Sequence, residues 1–209
     1  YPFSFHTEAS INLADDSVLM DLMVKAGFDT VFVGIESPSE ESLGECNKVQ
    51  NKNRDLITCV KKIQRSGLQV QGGFIVGFDN DNAGIFDRLV NFIQESGIVT
   101  AMVGLLNAPQ GTRLYRRLAA EGRLAEDFSG DNTNFSMNFI PKMDKTMLIT
   151  GYRHIVKTIY SPNKYYERIL TFLKEYKPTK CTAGKRLDHR HIMALMRSVI
   201  RLGIIEKGR

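Results

Sequence analysis

Cysteine is scarce and scattered: Cys46, Cys59 and Cys181 are the only three in 209 residues. Their odd number and wide spacing argue against a disulfide framework and offer no close metal-ligand spacing, so reduced structural thiols and no metal site are expected. The chain also lacks any apolar run near the ~20 residues that cross a bilayer, and no charged-then-apolar leader opens it, so a cytoplasmic protein is expected. No G-x-G-x-x-G opens a helix, and the dinucleotide-fold fingerprint is therefore missing. Basic residues crowd the end of the chain from Lys174 through Lys185, Arg186, Arg190, Arg197 and Arg201 to Arg209. Without the aromatic interleaving of single-strand binders or a zinc or RNA-binding signature, this stretch reads as a solvated helical face, which disfavours nucleic acid as a partner.

What remains is an ordinary globular composition, 43% apolar and 24% charged with a net charge of +5. The length suffices for one sizeable core, alone or with a smaller appendage. Three times in the first half a helical pattern ends in Gly and an apolar run containing Gly follows. Gly27 leads into Val31-Phe32-Val33-Gly34-Ile35-Glu36-Ser37, Gly67 into Val70-Gln71-Gly72-Gly73-Phe74-Ile75-Val76-Gly77, and Gly97 into Ala101-Met102-Val103-Gly104-Leu105-Leu106-Asn107. A glycine just past a helix tolerates the left-handed cap, and continuous apolar runs fit strands covered on both faces. The repeated unit is therefore helix then buried parallel strand, and ligand sites of such sheets lie at the carboxyl ends of the strands, here Glu36, Ser37, Gly77 and Asn107.

A first strand is expected within Phe3 to Ile11, ending near Glu8 to Ser10, followed by a helix capped by Asp15 or Asp16 with Val18, Leu19, Leu22, Met23 and Ala26 on its apolar face. A short helix starts at Ser39, and after the polar stretch Asn47 to Asn53 a longer one carries Leu56, Ile57, Val60 and Ile63. Another runs from about Ala83 to Glu95, each with one stripe to lay on the sheet. Pro109-Gln110-Gly111 signals a turn before a short helix to about Gly122. An extended Phe135 to Pro141 follows, then helices over Met147–Tyr160, Tyr165–Tyr176 and His189–Leu202, the last capped by Asp188 and closed by Gly203. The expected division is a βα part over 1–124 and a mostly helical part over 125–209. The chain opens without Met on a segment that already reads as a strand entry, so a fragment is expected.

Glycines inside a buried strand, as in Gly72-Gly73-Phe74-Ile75-Val76-Gly77, weaken it unless a backbone or a flat ligand must come close; a bulge or barrel bend is the structural alternative. Glu36 stands where a parallel sheet presents residues to ligand, and Lys48 lies in the loop beyond, where a cation can meet a carboxylate.

Taken in order, Val33-Gly34-Ile35-Glu36-Ser37, Asn47-Lys48, Gly73-Phe74-Ile75-Val76-Gly77 and Ala108-Pro109-Gln110-Gly111-Thr112-Arg113-Leu114-Tyr115 resemble the later strands of a radical S-adenosylmethionine enzyme. The group meant carries a cobalamin-binding domain ahead of the radical domain. The resemblance spans about Phe3 to Tyr115, and the tail resembles the extra C-terminal domain of one uncharacterised branch. It implies a partial (βα) barrel of about four parallel strands, the third to the sixth, followed by an α-helical subdomain. It also implies a parent enzyme that cleaves S-adenosylmethionine to a 5′-deoxyadenosyl radical for methyl transfer or related carbon chemistry. The Cys-x-x-x-Cys-x-x-Cys loop that binds the 4Fe-4S cluster in such enzymes is absent, so the cluster ligands would lie elsewhere, cobalamin upstream, and the chain alone is expected to be inactive.

On this resemblance Glu36 and Ser37 approach the ribose and methionine portion of S-adenosylmethionine, and Lys48 pairs with its carboxylate. Gly73, Ile75 and Gly77 form the G-x-I-x-G motif along the adenine, with Asn107 and Ala108 flanking it. The motif's usual Glu three residues on is Asn80 here. Two other readings compete: a (βα)-barrel enzyme on a phosphorylated metabolite, with Glu36 or Lys48 as acid or base and Gln110-Gly111-Thr112 as phosphate loop, and a module whose basic tail binds nucleic acid or an acidic partner. A barrel lacking its first strands exposes the edge at Phe3 to Ile11, so self-association through it is expected.

Overall fold

The computed structural model describes residues 3–125, 137–178 and 189–201. Its strands are β1 (Phe5–Ala9), β2 (Phe28–Glu36), β3 (Gln69–Val76) and β4 (Ala101–Leu105), all parallel in the order β1-β2-β3-β4. The expected four parallel strands are present, in a single open sheet with β1 and β4 at its edges. The helices are α1 (Ser17–Ala26), α2 (Glu40–Glu45), α3 (Leu56–Arg65), α4 (Ile85–Ser96), α5 (Arg113–Ala120), α6 (Lys145–Ile159), α7 (Pro162–Glu175) and α8 (His189–Ile200).

Capping explains where most helices start. Asp16, Ser39, Asp55, Thr112 and Asp144 each accept a backbone N–H of the first turn through a side-chain oxygen, which satisfies a donor that the helix itself cannot. Asp188 and Gly203, expected to bound the last helix, lie outside the described residues.

Side chains alternate across the strands, and the two faces differ. Val31, Val33 and Ile35 of β2 with Val70, Phe74 and Val76 of β3 are buried in one core with Val60 and Ile63 of α3 and Ile85, Leu89 and Ile93 of α4. The opposite face carries Phe32, Gly34 and Glu36, then Gln71, Gly73 and Ile75, then Met102 and Gly104, and is only partly covered. Continuous apolar runs suggested strands covered on both faces; the helices cover one.

Helix α1 departs from the expected stripe. Val18, Leu19 and Leu22 are exposed, and Met20 is buried with Met23 and Val24 packed behind it. Both sets recur at helical spacing, and α1 lies against β2 and the 3-10 turn Ile11–Asp15, near the sheet edge where only one side of its circumference meets protein. Of the extended segment expected over Phe135 to Pro141, the described part forms a single antiparallel bridge, Leu124 to Phe139.

The first compact unit runs over Tyr1–Lys177 and the second over Pro178–Arg209, so α6 and α7 share a unit with the sheet, beyond the division at 124/125 read from the sequence. Both pack on α4, and α7 also meets α3. Tyr160, just past α6, donates its hydroxyl to the Ala101 carbonyl at 2.9 Å and accepts the Ala101 N–H at 3.2 Å. The start of edge strand β4 thereby finds the partners that an edge otherwise leaves open.

Candidate functional site

At the end of β2 the backbone is forced out of the extended region. Glu36 has φ of 67°, the register with β3 shifts between Gly34 and Glu36, and the Ser37 N–H donates to the Ile35 carbonyl two residues back at 2.9 Å. A non-glycine residue held at positive φ costs of order 1–3 kcal/mol and persists only where its surroundings hold it. Asn51 supplies that hold. It is 1% exposed, and its Nδ2 donates to the Gly34 and Ile35 carbonyls at 3.1 and 2.9 Å. The polar stretch that interrupts the helical patterns is therefore an anchor for the strand end. Its Asn47 and Asn53 sit at φ of 57° and 55°, where asparagine is tolerated better than most side chains.

The strained turn aims the Glu36 carboxylate back across the open face. Lys48 Nζ donates to Glu36 Oε1 at 2.7 Å, with both side chains sheltered but reachable by solvent. The pair lies over Gly34: a Cβ there would meet Glu36 Oε1 at 2.6 Å and Lys48 Nζ at 2.9 Å. Gly34 stands opposite Gly73, above which the Phe32 ring sits, and Ile75 stands opposite Gly104. A Cβ on Gly104 would meet nothing within 4 Å. Three adjacent strands thus thin their open face with glycine, one carrying an ion pair, one an aromatic ring and one bare backbone.

Of the eight residues singled out in the sequence, Glu36, Lys48, Gly73 and Ile75 share this face. The other four belong to the rim and are engaged in holding it. Ser37 is fully buried and its Oγ accepts the Ser39 N–H at 3.2 Å. Gly77, at φ of 105°, donates its N–H to Asp81 Oδ2 at 2.8 Å and lies beneath Leu148 and Met137. Asn138 binds both backbone groups of buried Ala108, donating to its carbonyl at 2.7 Å and accepting its N–H at 2.9 Å, while Asn107 Oδ1 accepts the Asn138 N–H at 3.2 Å.

Asp81 escaped the sequence reading, which looked to position 80 for a strand-fixing carboxylate. It stands one residue later, accepting from the Gly77 and Phe78 N–H groups and from the Ser42 hydroxyl at 2.7 Å. Burial pushes its pKa above the ordinary value, with those hydrogen bonds pulling the other way. Asn51, Phe32 and Asn138 were also missed, because their roles depend on which strands lie side by side. Thr112, expected in a phosphate loop, caps α5 through an oxygen that accepts the Tyr115 N–H at 3.1 Å.

Beyond the rim lies an open cleft of about 400 Å³. Phe78, Leu106 and Leu114 give it an apolar wall and Arg113 and Arg117 a positive one. Arg117 is fixed by Glu45 at 3.1 Å and Asp79 at 3.0 Å. Arg123 grips the same Asp79 with two nitrogens at 2.7 and 2.9 Å. Those hydrogen bonds, ahead of the neighbouring positive charges, hold the Asp79 carboxyl below its ordinary 3.8. A depressed carboxylate stabilises the fold fully above pH 3.8 and loses that contribution as pH falls through its lowered value. Asp79→Asn should therefore cost about 2 kcal/mol at neutral pH, with the deficit shrinking below pH 3.8. Urea unfolding at both pH values checks this.

Among the described residues no three His, Cys, Asp or Glu side chains gather to hold a metal. Cys46 and Cys59 are free, and burial pushes the Cys46 thiol up, away from the thiolate that binds iron. Cys181 lies outside the described residues.

Residues 112–209 match a family described as a domain of unknown function, DUF4070. Over 206 residues, 98% of the chain, it is 41% identical to the uncharacterized methyltransferase sll1242 of Synechocystis sp., covering 38% of that protein. It is 32% identical over 161 residues to the hopanoid C-2 methylase of Rhodopseudomonas palustris, which is 77% of the chain and 30% of the relative. A third relative, the bacteriochlorophyllide d C-8(2)-methyltransferase of Chlorobaculum tepidum, is 24% identical over 179 residues, 85% of the chain and 39% of the relative. The chain thus spans between three and four tenths of the length of these relatives, and over most of its residues it is similar to proteins named as methyltransferases.

Proposed function

We propose that this chain supplies the S-adenosylmethionine-facing strands of a radical S-adenosylmethionine methyltransferase, within a barrel that its open sheet would continue. The observation that carries this is the strained Glu36 turn, held by Asn51 and paired with Lys48 above a glycine-thinned face. The similarity to named methyltransferases supports it. The donor set suits the ligand: a lysine for the methionine carboxylate, a carboxylate for ribose hydroxyls or the amino group, and for the adenine the Phe32 ring over Gly73 with Ile75 and the bare backbone of Gly104 beside it. Ser37, Gly77, Asn107 and Ala108 act by fixing the strand ends. When bound, S-adenosylmethionine would supply a methyl group or, given one electron by a donor outside the described residues, radical chemistry. These residues bind it, orient it and keep water from it.

The described residues do not fit a 4Fe-4S cluster, and neither the cluster nor cobalamin is assigned to them. The acceptor is assigned to the cleft, whose apolar wall suits a small molecule with an apolar body and whose Arg113 suits an anionic group on it, since Arg117 is taken up by Glu45 and Asp79.

Binding and stability should separate in variants of the pair. Lys48→Ala is expected to weaken S-adenosylmethionine about tenfold or more, the value of one sheltered charge-assisted hydrogen bond. Glu36→Gly removes the strain along with the carboxylate, and its unfolding free energy should stay within about 1 kcal/mol of the parent while binding falls. Calorimetric titration of the full chain, with Lys52→Ala as control, reads the first; urea unfolding reads the second. Unchanged affinity in both variants would sink the assignment.

A further inference from the structure

The Phe32 ring lies over Gly73 on the open face of the sheet, where an added Cβ would stand 2.8 Å from its Cζ atom. Gln71 stands two residues before Gly73 on β3, in direct register with Phe32, and is half-buried on the same face. Among the described residues its amide has no hydrogen-bond partner. The other side chains around the ring are apolar: Ile75 lies two residues beyond Gly73, and Met102 of β4, 56% exposed, stands opposite Gly73. The ring is thus a flat apolar platform with one amide at its border.

A half-buried amide without a partner is costly once its surroundings are covered, and a flat ligand on the ring would cover them. Two residues along a strand are about 7 Å apart, so the edge of a group lying on the ring over Gly73 comes within reach of the Gln71 side chain. That side chain presents an acceptor oxygen and an N–H donor next to each other. Adenine presents the complement, an amino donor at N6 beside an acceptor at N7, and a glutamine can bind both at once. Hypoxanthine and guanine carry a carbonyl in place of the amino group, so the same edge offers two acceptors and the amide satisfies one. Glu8 of β1 is also in register with Phe32 but exposed, and it lies two strands, about 10 Å, from Gly73.

We propose that Gln71 is the residue that selects the base, binding the amino group and N7 of an adenine stacked on Phe32. This rests on the reading of the open face as a site for S-adenosylmethionine and adds the origin of its base specificity. Lys48 and Glu36 serve the amino-acid and ribose portions, which any S-nucleosyl ligand shares. Gln71 meets the part in which the bases differ.

The test is calorimetric titration of the full chain with S-adenosylhomocysteine and with S-inosylhomocysteine, which carries a carbonyl where the first has the amino group. The parent should bind the adenosyl compound about tenfold tighter. Gln71→Leu and Gln71→Met, which keep the bulk of the side chain and remove its amide, should bring the ratio of the two affinities to within about twofold of unity. Glu8→Gln should leave the ratio as in the parent. Lys48→Ala should weaken both compounds alike and preserve it, because the lysine serves the portion they share. Partial unfolding of a variant lowers both apparent affinities by the same factor and so leaves their ratio unchanged. Equal affinity of the parent for the two compounds, or a parent-like ratio in the leucine and methionine variants, would overturn the role of Gln71 and leave the site itself standing. A parent that binds neither compound would instead bring down the reading of the face, and the role of Gln71 with it.

Discussion

Arg168→Met should lower the unfolding free energy by about 3 kcal/mol or more, even though it relieves the chain of a buried charge. Arg168 is fully buried, and among the described residues no carboxylate pairs with it. Burial pulls its pKa down, with the Tyr160 and Tyr165 hydroxyls opposing. What holds it is a set of neutral acceptors: Gln94 Oε1 at 2.7 Å, the Ile159 carbonyl at 2.6 Å and the Val99 carbonyl at 3.1 Å. The guanidinium also lies over the Tyr160 and Tyr165 rings at 5.5 and 5.3 Å. Methionine removes the desolvation cost but leaves three acceptors without a donor and forfeits two cation–π contacts of about 0.5–2 kcal/mol each. The losses outnumber the gain because these groups come from α4, the end of α6 and the approach to β4, and no other donor reaches all three. Lysine restores a charge but not the planar fork, so Arg168→Lys should recover little. Urea unfolding measures both; a methionine variant within about 1 kcal/mol of the parent would show that the guanidinium only fills space.

Gly151→Ala sets helix propensity against packing, and packing should win. Gly151 lies inside α6, where alanine is intrinsically favoured by about 1 kcal/mol. A Cβ there would stand 2.3–2.5 Å from three carbons of the Phe86 ring. Phe86 is buried in the core on α4, so the ring must push its neighbours or α6 must lift away. Overpacking of this kind costs about 1–3 kcal/mol. Net of the helix gain, a loss of about 1 kcal/mol would lower the thermal midpoint by about 2–4 °C in a chain of this size. A midpoint at or above the parent's would mean that α6 sits less tightly on α4 than the contact indicates. The same close approach recurs at Gly97, where an added Cβ would meet the backbone of Phe172 at 3.0 Å.

These two contacts show why part of the fold was legible and part was not. Gly27 and Gly97, read as left-handed caps from their position after apolar helical patterns, have φ of 100° and 70°. Asp16 and Ser39 cap the helices that follow them. All of these are short-range effects, decided within a few residues of chain. Arg168 carried no such mark: on its helix it reads as one more charged residue, and only the convergence of three elements makes it a core group. Gly151 likewise reads as a weak point in a helix until Phe86 is placed against it. The stripe of α1 failed for a related reason, since two sets of residues met the helical spacing and the packing partner chose between them.

The candidate site divides along the same line. The sequence by itself determined the parallel order of strand and helix, the glycines of the open face and the placement of Glu36 at a strand end, because period, cap and glycine act locally. Only the tertiary structure decided that Glu36 turns through positive φ onto Lys48, that Asn51 and Asp81 tie the strand ends, and that Ser37, Gly77 and Ala108 are engaged in the rim. Apart from the local bonds of Ser37 to Ser39 and of Gly77 to Asp81, those facts depend on groups 12 to 39 residues apart meeting in space, and a carboxylate or an amide acquires its role from the partner that the fold brings to it.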